Sequence, residues 1–254
     1  MINQSSADEI YEKPGVFGDE KKYLASGDRL KKMLEITQNL QDPPTTVLDI
    51  ATGTGLFANE VLRIFPHANV YAVDISKKAI SIGKNKYKNI KFKNANAEIK
   101  LPYRSNIFDF VISGEHIPCV KNTDTYLMEI NRVLKINGKL MITTPNLTSW
   151  LNRILLLFGK SIYFYEVSFK RTIPVLRVFN RSYPDITLPP TGLTRIFDIN
   201  TLVTLLGIYG FEVSDIFGVS LLSSKFIKPI DQLFSHLPTF ASGIILKAVK
   251  MKNL

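Results

Sequence analysis

The stretch Val47-Leu48-Asp49-Ile50-Ala51-Thr52-Gly53-Thr54-Gly55-Leu56-Phe57-Ala58 constrains this chain more than any other. A short apolar run, the mark of a strand buried on both faces, passes through a two-glycine turn into a segment of helical periodicity. Glycines allow a tight turn and close approach of a ligand to the main chain, while the helix start presents free N–H groups. Asp74 lies 19 residues after Gly55 and ends the next strand-like run, where a carboxylate can accept hydrogen bonds from both hydroxyls of a ribose. The pattern therefore reads as a nucleotide-type cofactor site in an α/β fold. G-x-G-x-x-A followed by an acid also describes a dinucleotide site, so an NAD(P)-dependent oxidoreductase is one reading. Asp49 points elsewhere: a carboxylate inside the strand just before the glycines suits an ammonium group, not a pyrophosphate.

Around this stretch the first half alternates strand-like and helix-like segments, as expected of a parallel sheet with crossover helices. Strands are predicted at 46–51, 70–73, 90–93, 108–113 and 139–144. Helices are predicted at 20–40, at 56–65, from a Ser76 cap to Tyr87, and at 122–136. After Pro145 the rhythm changes. Residues 146–158 read as an apolar helix, whereas 159–192 have no clean period and hold four prolines and six aromatic residues. Irregular segments of this length inside a domain are usually lids or binding elements. A helix at 198–209 and strands near 211–218 and 243–249 follow. The expected division is an N-terminal helical segment at 1–44, a cofactor-binding core at 45–146, an acceptor-binding cap at 147–197 and a C-terminal part at 198–254 that completes the sheet.

Composition removes other classes. The 254 residues are 45% hydrophobic, enough for a sizeable core, and carry one cysteine, which excludes an internal disulfide framework. The three histidines (His67, His116, His236) lie far apart, so no metal site is expected. The first twelve residues are polar, and no apolar run is long enough to span a bilayer, which leads to the expectation of a cytoplasmic protein. The net charge of +10 is uneven: residues 151–182 hold six basic side chains against Glu166 alone. A solvated basic face accounts for this, as does attraction to a phosphate-bearing or membrane-associated partner. Nucleic acid is not expected, because the chain has little room for an appended nucleic-acid-binding module.

Taken in order, VLDIATGTG, VYAVDIS, NANAEIKLPY, FDFVISGEHI and YLMEINRVLKINGKLMITTPN resemble the class I S-adenosylmethionine-dependent methyltransferases over about residues 45–146. The resemblance implies a doubly wound, Rossmann-like sheet of seven mostly parallel strands with a C-terminal antiparallel strand and a helical or loop cap. It implies S-adenosylmethionine as cofactor, with Asp49, Ala51, Gly53 and Gly55 at its methionine end, Asp74 at the ribose and Ile75 against the adenine. Asn96 and Ala97 occupy the place of a frequent Asp-Ala pair that reads the adenine amino group. Ser113 and Gly114 would flank the transferable methyl. Glu115 and His116 are the candidates for a general base, needed only if the acceptor keeps a proton of high pKa. Pro118-Cys119 replaces a second Glu-His pair common in relatives, so no role of that pair carries over. PNLTSWLNR (145–153), EVS (166–168) and GLTRIF (192–197) are similar to a subgroup associated with surface-glycan or lipid-linked assembly. Leu193 stands there in place of a histidine, while Arg195 is available to hold an anionic group and Trp150 to contact the acceptor. The expected activity is O-methylation of a small-molecule, glycan or lipid-linked acceptor, with peripheral membrane contact compatible with the charge. A non-catalytic S-adenosylmethionine-binding protein is the further alternative.

Overall fold

The computed structural model describes residues 27–166, 192–222 and 224–254. Helix α1 (Gly27–Gln38) precedes β1 (Thr46–Ile50), α2 (Leu56–Ile64), β2 (Asn69–Asp74), α3 (Lys77–Lys86), β3 (Lys91–Asn94) and β4 (Phe108–Ser113). A 3₁₀ turn at Ile117–Cys119 leads to α4 (Thr123–Val133) and β5 (Leu134–Pro145). Then come α5 (Trp150–Leu157), α6 (Ile199–Ile208), β6 (Phe211–Val219), α7 (Lys228–Phe234) and β7 (Gly243–Lys250). The strands form one sheet in the order β3-β2-β1-β4-β5-β7-β6. The pairs β2–β3, β1–β2, β1–β4 and β4–β5 are parallel, and β7 runs antiparallel to both β5 and β6. This is the seven-stranded, mostly parallel sheet expected, with β7 as its antiparallel strand.

Side chains alternate across the sheet, which gives it a core on each face. Leu48, Ile50, Phe108 and Val111 face α4 and α6 among Tyr126, Leu127, Ile130, Leu202 and Leu206. Val47, Phe110 and Ile112 face α1, α2 and α3 among Leu30, Met33, Phe57, Val61 and Ile80. Helix starts carry the caps that their residue types predict: the Ser76 hydroxyl accepts the N–H of Ala79, and the Asn122 side chain accepts that of Thr125.

Two differences from the sequence reading have physical causes. The amphipathic pattern of 122–136 predicts helix to Ile136, yet α4 stops at Val133 and β5 begins at Leu134. Buried Lys250 explains the switch: its ammonium donates to Asn106 Oδ1 (2.9 Å) and to the carbonyls of Asn131 (2.5 Å) and Leu134 (2.7 Å), fixing the last turn of α4. Helix α7 was not expected. It is organised by buried Asp231, which accepts Trp150 Nε1, the hydroxyls of Ser220 and Ser242, and the N–H groups of Leu221 and Leu222. Residues 20–26 of the predicted first helix, and 167–191 of the predicted cap, lie outside the described residues.

Candidate functional site

The strand order reverses between β1 and β4, and in open α/β sheets ligands bind outside the carboxyl ends of the strands at such a point. Register decides which residues arrive there. Ile50 pairs with Val73 and Ser113, and Asp74 pairs with Asn94. Ala51, Asp74, the 95–97 turn and Gly114 therefore emerge along one edge of the sheet. Among the described residues, those expected from sequence to hold the cofactor all lie on this edge or in the loop that follows β1.

That loop is shaped for close approach of a ligand. Ala51, Gly53 and Gly55 all take left-handed φ values (56°, 58° and 88°). Gly55 also has no room for a side chain, since a Cβ there would run into the Phe92 ring. Neither Phe92 nor Gly83, which receives the same ring, was singled out from sequence, because both belong to α3–β3 packing rather than to the motif. The Asp74 carboxylate braces the loop: Oδ2 accepts the N–H of Gly53 and Oδ1 that of Ser76, both at 2.8 Å. A carboxylate at the end of the second strand is placed to accept ribose hydroxyls. The Asn94 amide donates to the carbonyls of Asp74 and Ile75 and sets the turn after β2. Asn96 Oδ1 accepts the N–H of Glu98, and Ala97 is buried beneath.

Asp49 carries the strongest electrostatic signal. It is buried and bonded to the Thr52 hydroxyl at 2.6 Å. Burial pushes its carboxyl up to about 7, against the Thr52 hydrogen bond and with help from the nearby Asp74 charge. A buried acid in this state favours a cationic partner, which would restore the ionised form. The residues present thus fit a ligand with an ammonium group at Asp49 and vicinal hydroxyls at Asp74.

At the end of β4 the Ser113 hydroxyl shares a 2.7 Å hydrogen bond with Tyr126 inside the core, so its main chain rather than its side chain faces the cleft. Gly114 lies under Met33 of α1. Glu115, at φ 54°, donates its N–H to Thr143 Oγ1, while its Oε1 accepts the Thr143 hydroxyl and pairs with Arg29 Nη1 at 3.2 Å. Half-buried His116 sits edge-on to Tyr126, with ring centroids 5.2 Å apart, and burial pushes its imidazole down to about 4. Both candidate bases stand where expected, but one is held by a guanidinium and the other resists a proton. Arg29 is the residue that sequence reasoning missed here, since nothing local links it to Glu115.

Beyond β4 and β5, residues 192–196 fold onto the 118–120 loop. Pro118 O accepts the N–H groups of Thr194 and Arg195, and Val120 O accepts Arg195 Nη1 at 2.6 Å. Glu166 Oε2 accepts the N–H groups of Gly192 and Leu193. Together they border an open cavity of about 340 Å³ lined by Leu147, Phe164, Tyr165, Glu166, Thr194 and Arg195, among others. Trp150 does not line this cavity: its indole donates to Asp231 and stacks on Phe234 at 5.4 Å, bracing α5 against α7. No group of metal-ligating side chains occurs among the described residues.

A switch-point crevice with a glycine turn, a buried acid and a ribose-type carboxylate defines a nucleotide-cofactor enzyme of the Rossmann-like class. Known proteins narrow it. A family model described as a methyltransferase domain matches residues 41–162. An uncharacterised protein of Methanocaldococcus jannaschii is 33% identical over 82% of this chain and 76% of its own. A malonyl-[acyl-carrier protein] O-methyltransferase of Legionella pneumophila is 29% identical over 44% of this chain, a match spanning only 40% of that protein. The crystal structure of a Thermotoga maritima methyltransferase, a possible histamine N-methyltransferase, superposes over 96% of this chain and 99% of its own with a TM-score of 0.60 at 20% identity. The chain belongs to the class I S-adenosylmethionine-dependent methyltransferases. Its cofactor is S-adenosylmethionine, which decides against the nicotinamide reading that the glycine turn left open.

Proposed function

We propose that this methyltransferase acts on an acidic oxygen, a carboxylate or phenolate, of a small-molecule, glycan or lipid-linked acceptor seated in the 340 Å³ cavity. The observation that carries the reading is the presence of Arg195 in this aromatic-lined cavity, whose one acid, Glu166, is engaged by the amides of Gly192 and Leu193. The Arg195 guanidinium is fixed at one nitrogen by Val120 O, so it can orient an anion without being reorganised.

In the cofactor pocket, Asp49 would take the ammonium end and Asp74 the ribose hydroxyls. The backbone of Ala51, Gly53 and Gly55 would line the approach, Ile75, Asn96 and Ala97 the adenine side, and Ser113 and Gly114 the reacting end. S-adenosylmethionine, when bound, supplies a methyl group already activated on a sulfonium. What remains for the chain is alignment and exclusion of water, worth about 7–11 kcal/mol in well-oriented systems. Glu115 paired with Arg29, and a His116 that resists protonation, are better suited to shaping a dry pocket than to accepting a proton. An acceptor that is already ionised needs no such base. The O-methyltransferase name of the Legionella relative is consistent with this.

The test is transfer of labelled methyl to a panel of carboxylic acids, phenols, sugar hydroxyls and amines. Turnover of acids or phenols, with a rate that follows only the acceptor's own ionisation, is the expected result. Exclusive methylation of amines or neutral hydroxyls, or loss of the acid limb of the pH profile in His116→Gln, would overturn it.

A further inference from the structure

Away from the cofactor edge, α5 and α7 lie together on one shoulder. Trp150 joins them through Asp231 and Phe234, and Leu151, Leu155 and Leu222 form a small core with Ile227 and Tyr163 packed on it. With the inner faces so used, the outer faces are markedly apolar. Along 226–237, Phe226 (90% exposed), Ile230, Leu233 (69%) and Leu237 recur at helical spacing. On α5 and just after it, Ile154, Leu157 (81%) and Phe158 (72%) do the same. Soluble surfaces rarely expose so many large apolar side chains in one region without a partner.

Charge selects the partner. The elements bearing these stripes, 147–166 and 224–242, carry Arg153, Lys160, Lys225 and Lys228. Their two acids are engaged by the protein: Asp231 is buried among five donors, and Glu166 holds the amides of Gly192 and Leu193. Among the described residues, the one acid that reaches α7 from outside, Asp28 of α1, meets Lys228 at 4.0 Å and Gln232 at 3.0 Å, leaving Lys160 and Lys225 as the unmatched charges of the stripes. A second copy of this face would place positive charge against positive charge. We infer that this shoulder docks the enzyme onto an anionic lipid bilayer, with Phe158, Leu157, Phe226 and Leu233 entering the interface and the lysines meeting the headgroups. No helix among the described residues is long and apolar enough to cross a membrane, so the contact is peripheral. Tyr163 and Phe164 pack against the same small core, and Phe164 and Tyr165 line the cavity, so the shoulder adjoins the proposed acceptor site.

Docking requires neither cofactor nor acceptor, so it is tested separately from the reaction. The full chain is floated with phosphatidylcholine vesicles, alone and mixed with phosphatidylglycerol. Binding is expected to the mixed vesicles, much weaker binding to phosphatidylcholine, and release by salt. Each lysine removed (Lys160→Ala, Lys225→Ala) should weaken binding about fivefold. Phe158→Ser with Phe226→Ser should weaken it more than tenfold while calorimetric binding of S-adenosylhomocysteine is retained, and Lys78→Ala with Lys84→Ala on α3 should change nothing. Equal binding to both vesicle types, no binding to either, or a dimer dispersed by the phenylalanine changes would each overturn the inference.

Discussion

Replacing Asp49 by asparagine separates what this residue does for stability from what it does for binding. Its carboxyl rises from 3.8 to about 7 on folding, chiefly through burial. At about 1.4 kcal/mol per unit, the ligand-free protein carries a penalty on the order of 4 kcal/mol. The sign is that of a raised acid. The stability is fully present below the unfolded pKa of 3.8 and is lost as pH rises through about 7. The asparagine amide would keep an oxygen for the Thr52 hydroxyl and would not titrate. Asp49→Asn should therefore melt with the parent near pH 4 and higher near pH 8, by about 5–10 °C once some relaxation of the charged form is allowed for. S-adenosylhomocysteine, which carries the same ammonium, should bind it about 10–100-fold more weakly, the loss expected for a charged hydrogen bond. In the parent, binding near neutral pH should release protons as Asp49 ionises, measurable by calorimetry in buffers of different ionisation heat. A variant no more stable than the parent near pH 8, or a gain that does not vary with pH, would refute the burial argument. Unchanged affinity would remove Asp49 from the ammonium site.

Asp231→Ala strands five donors, including the Trp150 indole, and should cost about 3–5 kcal/mol in thermal or urea unfolding while leaving cofactor affinity nearly intact. Gly55→Ala meets both a left-handed φ of 88° and the Phe92 ring; it should destabilise by about 2 kcal/mol or more, with part regained by a second change, Phe92→Leu. Partial burial raises the Asp109 carboxyl, but hydrogen bonds from Lys135, Thr45 and Thr46 outweigh this and hold it well below the usual range. Its contribution is present above the unfolded pKa near 4 and lost as pH falls, so Asp109→Asn should flatten the acid limb of a stability curve measured below about pH 4.

What the sequence disclosed was what is locally encoded. The β1 turn was legible because strand burial, glycine φ values and the acid at the end of β2 are all written within thirty residues of Val47. The Ser76 cap was legible for the same reason. Arg29 on Glu115, Asp231 beneath Trp150 and Lys250 at the end of α4 were not, because each joins segments 81 to 119 residues apart through one buried polar group. Trp150 shows the limit from the other side. Its residue type and motif suited a ligand contact, but the donor that would serve the ligand is spent on a carboxylate invisible from its own neighbourhood.

The position of β7 bears on how the chain reaches its native state. It follows β6 in sequence yet lies between β6 and β5, so β5 has no partner on that side until a strand almost a hundred residues downstream arrives. The last seven residues of β5 are nearly all buried in the finished sheet. Until β7 inserts, they form a bare apolar edge of the kind that recruits other chains. Until that strand arrives, the first five strands share an unprotected border. The protein's yield at high expression should depend on how fast the final hairpin closes, more than on the stability of the glycine-turn core.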